Sequence, residues 1–339
     1  MAPQTWAPTT KSKVNVVFGA MTIGNGAEQS RTTDINEAAA ILDIFQSHGH
    51  NEIDTSRYYG GGSSEEYLGR LDYQKRGIIM DTKFYPTVGR AMDKDQWTHR
   101  PEHLRENLMR SLKALGAKKL DMWYLHGPDR TTPYEETMRG VNDLYKEGLF
   151  DRFAISNYMA WEVAQICEIC DKHGWIKPCV YQGIYNAIHR SIEPELIPCL
   201  RRYDMGFYAY NPLGGGFFTG NFKKEGEVES GSRFDPNKWQ GKMYRARYWN
   251  DSYFGALDIV RPVAEKHGLT LAETALRWMT HHSMLGREYP DAILIGASST
   301  KHIEQNLKDL EKAPLPDDVL DALDQAWEKV KPLCGKYWH

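Results

Sequence analysis

Along nearly all of its 339 residues the chain alternates short runs rich in β-branched and aromatic residues with longer amphipathic stretches, the pattern of repeated βα units around a parallel sheet. Segments 14–18, 52–54, 78–82, 122–125, 153–155, 180–183, 207–210 and 292–295 read as strands. Helical periodicity fills 34–47, 101–115, 134–147 and 161–173, and two more helical patterns follow residue 250 before the last strand. Eight strands in this order predict an α/β fold, a (β/α)8 TIM barrel. An open doubly wound sheet is the competing architecture, and it marks its first βα turn with Gly-x-Gly-x-x-Gly. Here that turn reads Gly19-Ala20-Met21-Thr22-Ile23-Gly24-Asn25-Gly26, with the wrong glycine spacing. Residues 212–250 make a connection far longer than an ordinary βα loop, expected over the C-terminal mouth of the barrel. Extra C-terminal helices are expected at 301–310 and 317–329. The length would hold two average domains, but barrels of this size run as one, so 1–339 is read as a single domain.

Composition narrows the function. The 41% hydrophobic and 26% charged content is that of a globular chain with a large core. A net charge of -3 offers no basic surface for a nucleic-acid backbone. No apolar run approaches the about 20 residues needed to span a bilayer, and residues 1–13 lack the apolar stretch of a signal peptide, so no membrane partner and a cytoplasmic location are expected. Cys167 and Cys170 form a Cys-x-x-Cys pair, but inside a helical pattern and with no second pair at zinc-ligand spacing; no metal site is expected.

The strand ends carry the chemistry. Asp54 closes the second strand, Lys83 follows the third, His126 follows the fourth, and Tyr59 lies just past Asp54. Residues at C-terminal strand ends converge on a barrel's mouth. Reducing a carbonyl by hydride requires a proton donor at the developing alkoxide, and a tyrosine with a free pKa of about 10 is a reluctant one. Lys83 is expected to lower that pKa, Asp54 to hold Lys83, and His126 to orient the carbonyl oxygen. Singly, each has a structural reading: a packed tyrosine, a satisfied histidine, a turn aspartate. Together they read as a site.

The run Ile53-Asp54-Thr55-Ser56-Arg57-Tyr58-Tyr59-Gly60, followed by Ser64-Glu65 and Leu68-Gly69, resembles the signature of the aldo-keto reductase family, with Ser56 where alanine is usual. Thr82-Lys83, Leu125-His126-Gly127-Pro128-Asp129 and Ile155-Ser156-Asn157-Tyr158 resemble its lysine, histidine and carboxamide segments in order. The resemblance implies Asp54, Tyr59, Lys83 and His126 as the catalytic set and NADPH/NADP+ as cofactor. Gly19 and Met21 would line the nicotinamide, Ser156, Asn157 and Gln182 would meet its amide, and Tyr210, Asn211, Pro212, Leu213 and Gly215 would follow the pyrophosphate. Ser298, His302, Gln305 and Asn306 would take the adenosine phosphate, with cationic help from Arg233 or Lys223. Tyr244-Arg245-Ala246-Arg247-Tyr248-Trp249 and the ending Cys334-Gly335-Lys336-Tyr337-Trp338-His339 look most like the aflatoxin-aldehyde reductase (succinic semialdehyde reductase-like) subgroup, whose members often end on arginine rather than His339. That subgroup implies a homodimer. Trp239, Tyr244, Tyr248, Trp249 and Trp338 are candidates for an aromatic rim, and Arg245 or Arg247 for pairing with a substrate carboxylate beside Tyr59 and His126.

Two other readings stand beside a reductase of small carbonyl compounds. A cofactor-sensing regulatory subunit resembling potassium-channel beta subunits would use the same barrel, although those relatives depart from histidine at the place of His126. A glycoside hydrolase would pair two carboxylates, for which Asp54 and Asp129 are the candidates, and would leave Tyr59 and Lys83 unexplained.

Overall fold

The computed structural model describes residues 11–90, 93–226, 228 and 232–339. Eight parallel strands, β1 (Asn15–Gly19), β2 (Glu52–Asp54), β3 (Ile79–Phe84), β4 (Leu120–Leu125), β5 (Phe150–Ser156), β6 (Val180–Ile184), β7 (Gly206–Tyr210) and β8 (Ala292–Ile295), close on one another in chain order. This is the (β/α)8 barrel that the alternation predicts, each strand within a few residues of its expected place. Parallel strands joined through helices are covered on both faces, and every residue of β2, β6 and β8 is buried.

Side chains alternate across each strand, so two cores form. Val17, Met122, Tyr124, Ala154, Val180, Tyr208, Ala292 and Leu294 make one cluster, inside the barrel. Their strand neighbours, among them Phe18, Ile53, Trp123, Leu125 and Phe153, pack outward under the helices. The same period of two carries the polar interior. Glu52 accepts from Arg152 Nη2 and Tyr208 Oη, both at 3.0 Å, and two residues further along β2 stands Asp54, at the level of the mouth.

The helices are α1 (Ile35–Ser47), α2 (Ser63–Arg70), α3 (Pro101–Leu115), α4 (Tyr134–Lys146), α5 (Ala160–His173), α6 (Leu196–Arg202), α7 (Trp239–Tyr248), α8 (Asp251–Lys266), α9 (Leu271–His281), α10 (Thr300–Leu310) and α11 (Asp317–Val330). Their starts are written locally. Asp34, Asn250, Thr270 and Ser299 accept from backbone N–H groups of the first turns of α1, α8, α9 and α10. Gly116 and Gly174 end α3 and α5 in the left-handed conformation. The crossing of α2 on α3 needs Gly69, since a Cβ there would stand 2.7 Å from the Ala114 carbonyl oxygen. Cys167 and Cys170 both lie in α5, buried, with burial pushing each thiol up to about 12.

The long connection after β7 is not plain loop: a 3-10 turn (Gly214–Thr219) opens it and α7 closes it, with α8 starting at Asp251. The expected extra helices are present as α10 and α11, and α11 packs against α8. No described helix is long and apolar enough to cross a membrane.

Candidate active site

At the C-terminal ends of β2 and β3 a buried ion pair forms. Lys83 Nζ donates to Asp54 Oδ1, to the Thr55 carbonyl at 2.8 Å and toward Tyr59 Oη at 3.5 Å, so its three hydrogens have three acceptors. Gln182 Nε2, from β6, donates to the other Asp54 oxygen at 2.8 Å. His126 lies edge-on between two tyrosines, 5.6 Å from the Tyr59 ring and 5.2 Å from the Tyr85 ring. Asp54, Tyr59, Lys83 and His126, which the sequence sets apart by up to 72 residues, thus occupy one corner of the mouth.

The remaining motif residues hold the segment bearing Tyr59. Glu65 is wholly buried and accepts from Arg57 at 2.8 Å and Thr82 at 2.6 Å. Ser64 Oγ donates to the Ala20 carbonyl at 3.0 Å and meets Thr55 Oγ1 at 2.9 Å. Ser63 Oγ ties Asn25 N and Gly26 N to the Gly60 carbonyl. Between these ties Tyr59 opens a tight turn in which Gly60 and Gly61 are left-handed.

Burial pushes the Asp54 carboxyl up and the Lys83 amine down, and their attraction opposes both. Burial and the Lys83 charge hold His126 well below its usual range, so its imidazole is neutral. For Tyr59 the direction corrects the sequence-based expectation: its pKa is raised well above 10, because burial and then the Asp54 carboxylate outweigh the Arg233 charge. Tyr59 is a protonated phenol.

The predicted cofactor residues line the mouth from β1 to α10. Gly19 and Met21 are half-buried at the end of β1 and in the turn after it. Asn157 is left-handed and spends its side chain internally, Nδ2 donating to the His126 carbonyl and Ser156 Oγ and Oδ1 accepting from Tyr210 Oη. Asn211, also left-handed, accepts from Tyr244 Oη, and Pro212 and Leu213 follow it. Gly215 lies flat on Tyr244, whose ring a Cβ would strike at 2.1 Å. Arg233 reaches across from the long connection, 6.0 Å from the Tyr244 ring and with Nη2 against Gly296. Opposite it, Ser298 Oγ meets His302 Nδ1 at 3.3 Å, Asn306 Nδ2 points at the Gly296 carbonyl, and Gln305 is turned to Asp309. Lys223 lies elsewhere, in a groove of about 520 Å³ with Phe254, Asp258 and Arg261.

The substrate-side residues separate. Arg245 donates to the Phe234 carbonyl at 2.7 Å and stacks 3.9 Å over Trp249, which fixes it within the connection. Arg247 acts instead on Tyr210 and His339. Tyr248 is wholly buried against Phe217 and Tyr253, so it packs the connection rather than rimming the mouth; Trp239 is 49% exposed. Trp338 is half-buried under the Lys336 ammonium at 4.2 Å and the Arg130 guanidinium at 5.7 Å. The terminal residue docks beside the site: His339 N donates to the Asn157 carbonyl and its own carbonyl accepts from Arg130. Desolvation beside the site, with Arg247, Arg90 and Arg130 nearby, lowers the His339 pKa to about 4.

Sequence reasoning overlooked Tyr85 and Arg90. The Arg90 guanidinium lies 5.0 Å over Tyr85 and 5.6 Å over Tyr58, flanking His126. The available signal was Tyr85's position two residues past Lys83, on the same face of the strand end. Asp129, the second carboxylate of the hydrolase reading, is consumed as a turn anchor, accepting from His99 N, Thr131 and Thr132.

Such a corner can hold an oxygen between a phenol and a neutral imidazole, with an ammonium behind the phenol. Comparison with known proteins agrees with this geometry. The chain is 46% identical to the aldo-keto reductase pigE of Monascus ruber over 97% of this chain and 98% of that protein. It is 41% identical to human aldo-keto reductase family 7 member A3, over 97% of this chain and 98% of that one. Identity is 40% with human aflatoxin B1 aldehyde reductase member 2, over 96% and 90% of the two chains. The family model described as "Aldo/keto reductase family" matches residues 15–328, nearly the whole barrel, and the chain belongs to that family, an oxidoreductase that acts on carbonyl compounds.

Proposed function

We propose that this protein reduces aldehydes and ketones to alcohols with NADPH, Tyr59 acting as the general acid. The observation that carries the reading is the Lys83 ammonium, whose third hydrogen points at Tyr59 Oη beside His126. The residues at the mouth fit the cofactor. Gln182 spends one hydrogen on Asp54 and keeps its carbonyl for a carboxamide, the glycine turn on Tyr244 lets a ligand approach the backbone, and Arg233 beside Gly296 suits a 2′-phosphate.

When bound, NADPH supplies the hydride. His126 and Tyr59 hold the carbonyl oxygen, which gains negative charge as the hydride arrives. The alkoxide that forms as the hydride arrives is a strong base beside the Tyr59 hydroxyl, so Tyr59 gives its proton to that oxygen. Lys83 stabilises the phenolate left behind through its contact with Oη, and Asp54 keeps Lys83 charged and in place.

The substrate class is aromatic, dicarbonyl or semialdehyde compounds. Relatives named for aflatoxin B1 aldehyde support an aldehyde, and the Arg247 side chain, unlike that of Arg245, has no backbone or ring contact among the described residues that ties it down and acts on Tyr210 and His339, which suits a substrate carboxylate. The working form is a cytoplasmic homodimer, which sedimentation tests; a monomer at micromolar concentration would refute it.

The experiment is NADPH oxidation with 4-nitrobenzaldehyde, phenanthrenequinone and succinic semialdehyde, repeated with NADH and with Tyr59→Phe. Turnover with NADPH that disappears in Tyr59→Phe is expected. Tight NADPH binding without turnover on any carbonyl would overturn the reading in favour of a cofactor-sensing subunit.

A further inference from the structure

The side chain against His126 Nδ1 is one that the resembled motif does not contain. Ser56, wholly buried, stands where that motif has alanine. Its Oγ lies 3.1 Å from His126 Nδ1, 3.2 Å from Tyr58 N and 3.3 Å from the Lys83 carbonyl oxygen. Tyr58 N can only donate, so Oγ accepts there. The one hydroxyl hydrogen then has two destinations, the carbonyl or the ring.

Which destination it takes decides what His126 offers to a substrate. A neutral imidazole carries a single N–H. If Ser56 donates to the Lys83 carbonyl, Nδ1 must be the protonated nitrogen and donate to Oγ, leaving Nε2 a bare lone pair that repels a carbonyl oxygen. If Ser56 donates to Nδ1, the hydrogen sits on Nε2 and can be given to that oxygen. Two observations favour the second arrangement. The Lys83 carbonyl already accepts from Arg57 N at 3.2 Å, and at 3.3 Å from Oγ it lies beyond the usual length of an O–H···O bond, whereas the ring nitrogen at 3.1 Å is within reach. The ring itself is held edge-on between Tyr59 and Tyr85, so the serine has a fixed nitrogen to address.

We infer that Ser56 is a positioning residue, which donates its hydroxyl hydrogen to His126 Nδ1 and thereby holds the imidazole as the Nε2–H tautomer that a substrate carbonyl requires. The effect on rate rests on the reductase reading above; the tautomer does not. An outer partner that fixes the protonation of a functional histidine is a familiar device at metal sites, and here it acts on a hydrogen-bond donor.

The test reads the tautomer directly. In long-range 1H–15N spectra of histidine-labelled protein without cofactor or substrate, the His126 signals are assigned by their loss in His126→Gln. Wild type should show the Nε2–H pattern, Ser56→Ala a mixture or the Nδ1–H form, and Ser56→Thr, which keeps the hydroxyl, the wild-type pattern. In parallel, kcat for 4-nitrobenzaldehyde should fall about tenfold in Ser56→Ala, the loss of one hydrogen bond, with NADPH affinity unchanged and Ser56→Thr near wild type. An Nδ1–H pattern in wild type overturns the inference, as does a Ser56→Ala protein with the wild-type pattern and rate. Should Ser56→Ala fail to fold, the wild-type and Ser56→Thr spectra still decide. An Nε2–H wild type that oxidises no NADPH would support the tautomer assignment while refuting the reductase reading.

Discussion

Removing either partner of the Lys83–Asp54 pair should destabilise the fold, with opposite pH dependence for the two variants. Both side chains are buried, at 0% and 1% exposure, so the one left behind escapes most cheaply by giving up its charge. In Lys83→Met, Asp54 must take up a proton. Against an unfolded carboxyl near pKa 3.9, this costs about 4 kcal/mol at pH 7 and about 1.5 kcal/mol at pH 5. In Asp54→Leu, Lys83 must lose a proton. Against an unfolded amine near pKa 10.4, that costs about 5 kcal/mol at pH 7 and about 2 kcal/mol at pH 9. The signs follow from proton counts. In the first variant the folded state holds the extra proton, so stability falls as pH rises; in the second the unfolded state holds it, so stability rises with pH. The double variant leaves neither charge and should recover all but about 1–3 kcal/mol, the cost of unpaired polar groups at Thr55 and Gln182. Urea unfolding followed by far-UV circular dichroism at pH 5, 7 and 9, each variant against wild type, measures all of this. Losses independent of pH, or a double variant no more stable than either single one, would refute the reasoning.

His99 is wholly buried and burial lowers its pKa to about 4, so below pH 6.5 the unfolded chain binds a proton that the folded chain refuses. Stability should therefore drop as pH falls from about 6.5 toward 4, by up to about 3 kcal/mol from this residue, and His99→Asn should flatten that acid limb in thermal melts; an unchanged slope argues against it. A Cβ at Gly241 would stand 1.8 Å from the Asp235 carbonyl oxygen, so Gly241→Ala should shift α7, cost about 1–3 kcal/mol and weaken NADPH binding in a fluorescence titration through Tyr244 and Arg233; wild-type melting and affinity would count against the packing argument. Cys167 and Cys170, with thiols at about 12, should react with Ellman's reagent at pH 8 only after unfolding, and rapid native labelling of either would contradict their burial.

The barrel was legible because its strands are buried on both faces and its helices on one, and each burial pattern leaves its own period in the sequence. Even the three-residue β2 was found, since Glu52 and Asp54 stand two apart and both point inward. The four residues of the corner were legible for a similar reason: strand ends in a barrel meet, so chemistry at the ends of β2, β3 and β4 needs no long-range information. What sequence could not give was the sign of the Tyr59 shift, because it is set by burial and the Asp54 carboxylate against the Arg233 charge, and only geometry says which is larger.

The α7 helix shows what a missed element hides. Its sequence Trp-Gln-Gly-Lys-Met-Tyr-Arg-Ala-Arg-Tyr carries a glycine and scattered cations, so no apolar stripe announces it, and it forms because Gly241 closes on Asp235 while Tyr244 and Tyr248, one turn apart, are buried together. Read as loop, Arg245 and Arg247 are equivalent candidates for a substrate anion. Read as helix, they stand two positions apart and about 200° round the axis, so they cannot face the same ligand. The structure gives Arg245 to Phe234 and Trp249, while Arg247 acts electrostatically on Tyr210 and His339 as well as on the buried Tyr248. Arg247→Ala should therefore raise the KM for succinic semialdehyde about tenfold or more while leaving that for uncharged 4-nitrobenzaldehyde within twofold, as expected for loss of a charge-assisted contact to the carboxylate alone. Arg245→Ala should raise both or neither, since its effect would pass through the stability of the connection. A selective loss in Arg245→Ala with none in Arg247→Ala would mean that the helix presents its other face to the substrate.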